Sequence, residues 1–165
     1  MYHFWLRIQC FPRQLIVVSS RRFSTQEIGE VDWIMLSLKS YSLPAAKELV
    51  EPCMGSGTRI LAIMNGYGIE EALALKLPRE KIFGGMAFIC SNRGDPGYVD
   101  HSKYGPLLIG HGTDDEKELV AVQELFEGSK VAATTSESLL CSRWESPANQ
   151  VVKIITTDKT RDTKT

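Results

Sequence analysis

Two side chains in this sequence stand where a folded sheet would present them to a ligand. Asn65 lies in Met64-Asn65-Gly66-Tyr67-Gly68, directly after the apolar run Ile60-Leu61-Ala62-Ile63, and Lys39 follows the apolar run Val31–Leu38. Each therefore sits at the carboxyl end of an expected strand, which is where open α/β sheets bind ligands. The Asn65 amide offers two donors and an acceptor. Asn-Gly by itself is common turn punctuation, because both residues tolerate positive φ. A hairpin turn is disfavoured here, since the residues after Gly68 change to helical period, and the weight of the amide depends on what the rest of the chain builds.

Metal chemistry has no support of this kind. Cys10, Cys53, Cys90 and Cys141 lie far apart with no CxxC pair, and His3, His101 and His111 are equally scattered. A zinc site normally brings its ligands in close pairs, so no metal centre is expected. Free thiols in a reduced intracellular compartment are the simpler account of the cysteines.

The elements that must position Asn65 and Lys39 follow from period and punctuation. Ile60–Ile63 is the continuous apolar pattern of a strand buried on both faces of a parallel sheet. After Gly66 and Gly68, Ile69, Leu73 and Leu77 recur by fours with Ala72 beside them, giving a helix with one apolar face. Glu70 and Glu71 fall in its first turn, where carboxylates meet the positive end of the helix dipole. Upstream, a helix opens at Leu43-Pro44, with Ala45, Ala46, Leu49 and Val50 as its stripe, and ends at Pro52 and Gly55-Ser56-Gly57. Two successive strand–helix units with short links predict a parallel, doubly wound sheet.

Further along, Lys81–Cys90 reads as a third strand in which Gly84-Gly85 permits a bulge or close backbone approach. Asp95-Pro96-Gly97 is a turn signal. Gly97–Ser102 and Pro106–His111 read as two short antiparallel strands around Lys103-Tyr104-Gly105. Asp114 and Asp115 cap an amphipathic helix whose inward face carries Leu119, Val122, Leu125 and Phe126. Lys130–Thr134 is the last strand, and Ser136–Trp144 begins a helix.

The bulk numbers agree with one globular unit. A chain of 165 residues is about one domain long, and 19 Lys plus Arg against 20 Asp plus Glu argues against nucleic acid or a membrane surface as partner. No run approaches the length of a membrane span. Residues 1–26 carry Arg7, Arg13, Arg21 and Arg22 and no acidic residue, which is the composition of a mitochondrial targeting segment. Equally, Leu15-Ile16-Val17-Val18 could be a first strand. Localisation is read as cytoplasmic, with mitochondrial as the alternative. Residues 27–145 form the expected domain, and residues 146–165, ending in a polar low-complexity run, are expected to be disordered. Gly55-Ser56-Gly57 is no dinucleotide fingerprint: its sixth position is Ile60, and it precedes a strand where the motif must follow one. Neither GxGxxG nor Walker A occurs in the sequence.

Taken in order, these stretches resemble the ketopantoate reductase (2-dehydropantoate 2-reductase) family, and specifically its amino-terminal nucleotide-binding domain without the first part. Asp32–Ser40 is similar to the family's aspartate-led strand ending in Lys-Ser/Ala. Met64-Asn65-Gly66-Tyr67-Gly68-Ile69-Glu70-Glu71 is similar to its Asn-Gly-x-Gly turn and Glu-containing helix. Phe83–Cys90, Pro96–His101 and Leu108–Gly110 follow in the family order. The resemblance runs from about Leu15 to Trp144.

That resemblance implies an incomplete Rossmann-like sheet, doubly wound and parallel with a small antiparallel portion. It also implies NADPH-dependent reduction of a small 2-keto acid to a 2-hydroxy acid, on the route to pantothenate and coenzyme A. NADP would be the cofactor, with Lys39, Asn65 and Cys90 as cofactor-binding positions, Cys90 through its backbone. Lysine supplies a point charge and donors for ribose or phosphate oxygens, and an asparagine amide can orient a carboxamide or hydroxyl. The family's catalytic lysine stands two residues after a tryptophan, and the corresponding residue after Trp144 is Ser146. No catalytic residue is therefore assigned, turnover by this polypeptide alone is not expected, and self-association through an exposed sheet edge is. The reading from a different functional class is a non-catalytic α/β binding or interaction module derived from the same domain.

Overall fold

The computed structural model describes residues 25–93 and 99–144, with the side chains of 90–104 outside that description. The expectations for residues 1–24, for the Asp95-Pro96-Gly97 turn and for the tail at 146–165 therefore lie outside the described residues. A five-stranded sheet with the order β1-β2-β3-β4-β5 organises the rest. Its strands are β1 (Val31–Leu36), β2 (Met54–Ile63), β3 (Ile82–Arg93), β4 (Val99–His111) and β5 (Ala133–Ser136). β1, β2 and β3 run parallel, β4 is antiparallel to β3, and β5 is parallel to β4. The expected α/β class, mostly parallel with one antiparallel pair, is the observed one.

Alternation along the strands divides the core between the two faces of the sheet. Ile34, Leu36, Ile60, Ala62 and Ile82 point to one face, where they pack with Ala46, Val50, Ile69 and Leu73. Trp33, Leu61, Phe83 and Ile109 point to the other, against Val122 and Phe126. Helices on both faces are what a continuous apolar strand requires, because neither face can be left to water. Ile60, Leu61, Ile82 and Phe83 are almost completely buried, each contributing about 1.5–3 kcal/mol relative to exposure. The first face is covered by α1 (Ala46–Val50) and α2 (Ile69–Ala74), and the second by α3 (Glu116–Phe126).

Several local expectations are corrected. The helix expected from Pro44 is a 3-10 turn over Ser40–Ala45, a single α-helical stretch α1, and a second 3-10 turn over Glu51–Cys53. Ala46 and Val50 face the core while Ala45 and Leu49 are exposed; a stripe this short cannot sustain a longer helix. Gly55-Ser56-Gly57 does not end that helix but belongs to β2, at a register irregularity between Val31 and Trp33. Thr58 stitches the irregularity: its hydroxyl donates to the Val31 carbonyl, and its oxygen accepts from the Gly55 N–H at 2.8 Å.

The pair of short strands around Lys103-Tyr104-Gly105 is instead one continuous strand, β4, and its antiparallel partner is β3. The pairing skips between Ala87–Leu107 and Ile89–Tyr104, so Gly105-Pro106 forms a bulge rather than a turn. Gly105 takes φ 151° there, and Pro106, with no N–H to give to the ladder, is tolerated at such an irregularity. The last strand lies at Ala133–Ser136, not Lys130–Thr134, and is placed by its pairing with Leu107–Gly110.

The helix expected over Ser136–Trp144 is present as α4, residues 139–144. Of the two aspartates expected to cap α3, only Asp115 does so, accepting from the Lys117 N–H at 2.9 Å. Asp114 turns away with φ 54° and accepts instead from the Leu139 N–H at 3.0 Å, in the first turn of α4. β1 forms one edge of the sheet among the described residues. Beside it runs an apolar groove lined by Ile28, Trp33, Leu36, Leu38 and Leu49.

Candidate functional site

Parallel pairing of β1 with β2 sets the geometry of the two candidate side chains. Leu36 and Ala62 are register partners; Lys39 follows the first by three residues and Asn65 follows the second by three. Both side chains are exposed, at the same carboxyl edge of the sheet. β3 is parallel to β2 and overhangs it, since Gly85 stands opposite Ile63 near the end of β2. Cys90 lies in that overhang with Lys103 as its partner across β3–β4. All three positions thus belong to one edge, with Cys90 about 17 Å of strand beyond Gly85.

The loop carrying Asn65 is built from glycine and anchored on both sides. Gly66 and Gly68 take φ 123° and 77°, conformations that a side chain would resist. The chain thereby passes from strand to helix, and Gly68 becomes the N-cap of α2. Met64 on one side and Ile69 on the other are buried. Between them Asn65, Gly66 and Tyr67 are left at the surface.

The anchoring groups are ones that spacing could not reveal. Arg143 of α4 donates through Nη1 to the Met64 carbonyl at 2.6 Å and through Nη2 to Glu70 Oε1. Both members of this ion pair are buried, with side-chain exposures of 4% and 5%. Glu70 is in the first turn of α2 as expected, but a guanidinium 73 residues away meets its carboxylate. Trp144 packs on Tyr67 at a ring separation of 5.1 Å, so α4 also touches the loop tip. The one sequence signal for this arrangement was Gly84-Gly85. A Cβ on Gly84 would collide with the Glu70 carboxylate and with Leu139, so the close approach predicted there is made by these two side chains.

His111 is a structural histidine. Its Nδ1 faces the Asp115 N–H at 3.3 Å and Nε2 meets the Glu80 carbonyl at 2.9 Å, an arrangement that fixes the tautomer with the proton on Nε2. Cys53 donates to the Thr25 carbonyl at 3.3 Å, and burial pushes its thiol above the ordinary pKa. Among the described residues, no three of His, Cys, Asp and Glu gather as metal ligands, and no helix is long and apolar enough to cross a membrane.

Comparison with known proteins gives the arrangement its ancestry. The family model for ketopantoate reductase PanE/ApbA matches residues 3–114. The chain belongs to the ketopantoate reductase family. A 2-dehydropantoate 2-reductase from Nostoc sp. is 30% identical over 125 residues, a match covering 72% of this chain and 39% of that protein. An uncharacterized oxidoreductase of Bacillus subtilis, YkpB, is 27% identical over 74% of this chain and 41% of its own length. The crystal structure of a 2-dehydropantoate 2-reductase from Geobacter metallireducens superposes with a TM-score of 0.70 at 37% identity, covering 74% of this chain and 41% of that one. The chain thus spans about two fifths of the length of these relatives. The sheet described above is their Rossmann-like fold.

Proposed function

We propose that this chain contributes the nicotinamide side of an NADPH site in a reductase that converts a small 2-keto acid, 2-dehydropantoate by family, to its 2-hydroxy acid. The observation that carries the reading is the equal offset of Lys39 and Asn65 beyond paired positions of β1 and β2, at the edge where such sheets bind ligands. The donor set fits the cofactor. An exposed ammonium suits ribose or phosphate oxygens, and an exposed amide with two donors and an acceptor suits a carboxamide or a substrate hydroxyl. When bound, NADPH supplies the hydride.

The chain's own groups hold and orient. Lys39 attracts anionic oxygens from the end of β1. Asn65, on a loop fixed at Met64 and Glu70, sets the angle of the group it meets, and the Cys90 backbone in the β3 overhang offers a further contact along the same edge. Met64 and Ile69 close the loop's underside with apolar bulk. No residue of this sequence is assigned as the proton donor to the ketone. Without one a reductase loses on the order of 10²- to 10⁴-fold in rate, so we expect turnover by the 165-residue polypeptide to be low.

Fluorescence titration with NADPH tests the assignment. Lys39→Ala and Asn65→Ala should each weaken binding by about tenfold, the worth of one hydrogen bond to a charged or polar group, with melting temperatures unchanged because both side chains are exposed. Affinities equal to the parent's in both variants would remove these residues from the site. They would favour the reading of a non-catalytic interaction module.

A further inference from the structure

We propose that Arg143 is a positioning residue, which acts through the Met64 carbonyl and the Glu70 carboxylate to hold the Asn65 loop in the one conformation that presents its amide. The inference rests on the reading of Asn65 given above. Met64 is the last residue before the loop and Glu70 lies in the first turn after it. One guanidinium therefore ties the loop's beginning to its end, through Nη1 at 2.6 Å to the first and Nη2 to the second. Arginine suits this task because its donors form a rigid fork, so two acceptors bound to it are fixed relative to each other.

The surroundings are shaped to seat this pair. Gly84 leaves the space that the Glu70 carboxylate and Leu139 fill, and Gly110, its cross-strand partner, leaves room for the backbone of Leu139. Asp114 caps the Leu139 N–H, which fixes the turn of α4 from which Arg143 projects. Trp144, the next residue, packs on Tyr67 at the loop tip.

Stability alone does not account for the pair. Arg143 Nε is buried without a hydrogen-bond partner, and a buried ion pair is often no more stabilising than apolar side chains of similar volume. What apolar side chains cannot do is hold the Met64 carbonyl. Loss of the guanidinium should therefore release the loop while leaving the fold.

The double variant Glu70→Leu/Arg143→Met separates these roles, because it removes both charges together and keeps the volume. Arg143→Lys, whose ammonium cannot span both acceptors as a fork, is the conservative companion. Amide hydrogen exchange at residues 65–70, thermal melting and NADPH titration are measured on the full chain and both variants. The double variant should melt cooperatively near the parent temperature, yet exchange its loop amides about tenfold faster and bind NADPH about tenfold more weakly, the loss of one charge-assisted hydrogen bond. Arg143→Lys should fall between. Loop exchange equal to the parent's in both variants overturns the proposal, whatever their melting temperatures. A parent chain that binds no NADPH sinks the cofactor reading of the edge, and the exchange measurement still decides whether Arg143 holds the loop.

Discussion

The two strand ends that carry Lys39 and Asn65 are matched in offset and differ in support. After β1 the chain runs into a 3-10 turn whose bond at Lys39 is the local one from the Ser42 N–H to the Lys39 carbonyl, 2.8 Å. Its one described tie to a distant side chain is exposed and lies five residues past Lys39, where the Lys76 ammonium donates to the Pro44 carbonyl at 2.9 Å. After β2 the loop is tied by a buried guanidinium from α4, whose Leu139 sits against Gly84 and Gly110, and is touched at its tip by Trp144. The difference matches the roles proposed for the two side chains. An ammonium on a flexible stem is a point charge with rotatable donors and can find an anionic oxygen from many backbone positions. An amide has a donor side and an acceptor side, so its backbone must be held if the right one is to face the ligand.

The largest effect should come from breaking the better-supported end. Glu70→Gln leaves Arg143 buried opposite a neutral amide, and stranding one partner of a buried pair costs about 3–5 kcal/mol. Chemical denaturation reads this directly, and a loss below about 1 kcal/mol, the scale of an exposed pair, would show that the pair is more solvated than its burial indicates. A smaller effect is expected from Gly84→Ala. The added Cβ meets the Glu70 carboxylate and Leu139, an overpacking of about 1–3 kcal/mol. It should speed hydrogen exchange at the Asn65 loop without altering exchange at Lys39 and Ser40. Equal disturbance at both strand ends would erase the distinction drawn between them.

Much of this was legible in the sequence, for reasons that can be named. The strand runs 31–38 and 60–63, observed as Val31–Leu36 and within Met54–Ile63, and the helix after Gly68 are marked by apolar runs and a change of period, signals that depend on near neighbours alone. Lys39 and Asn65 were placed at strand ends by the same means. The short α1 was overestimated because Ala45 and Leu49 read as an apolar stripe when only Ala46 and Val50 are covered. β4 reads as two strands because Lys103-Tyr104-Gly105 looks like punctuation, and its continuity comes from ten paired positions along β3. Glu70 reads only as a first-turn carboxylate, which it is, because its ion-pair partner Arg143 lies far away in sequence. A contact over 73 residues leaves no periodic trace.

The central claim is that Lys39 and the Asn65 loop form one nicotinamide-nucleotide edge, and amide chemical-shift mapping of the chain titrated with NADPH tests it most directly. The account predicts saturable shifts at residues 39–40 and 65–68, extending into the β3 overhang near residue 90, even where affinity is weak. Shifts gathered instead along the outer edge of β1 beside Trp33 and Leu36, or none at millimolar NADPH, would contradict it.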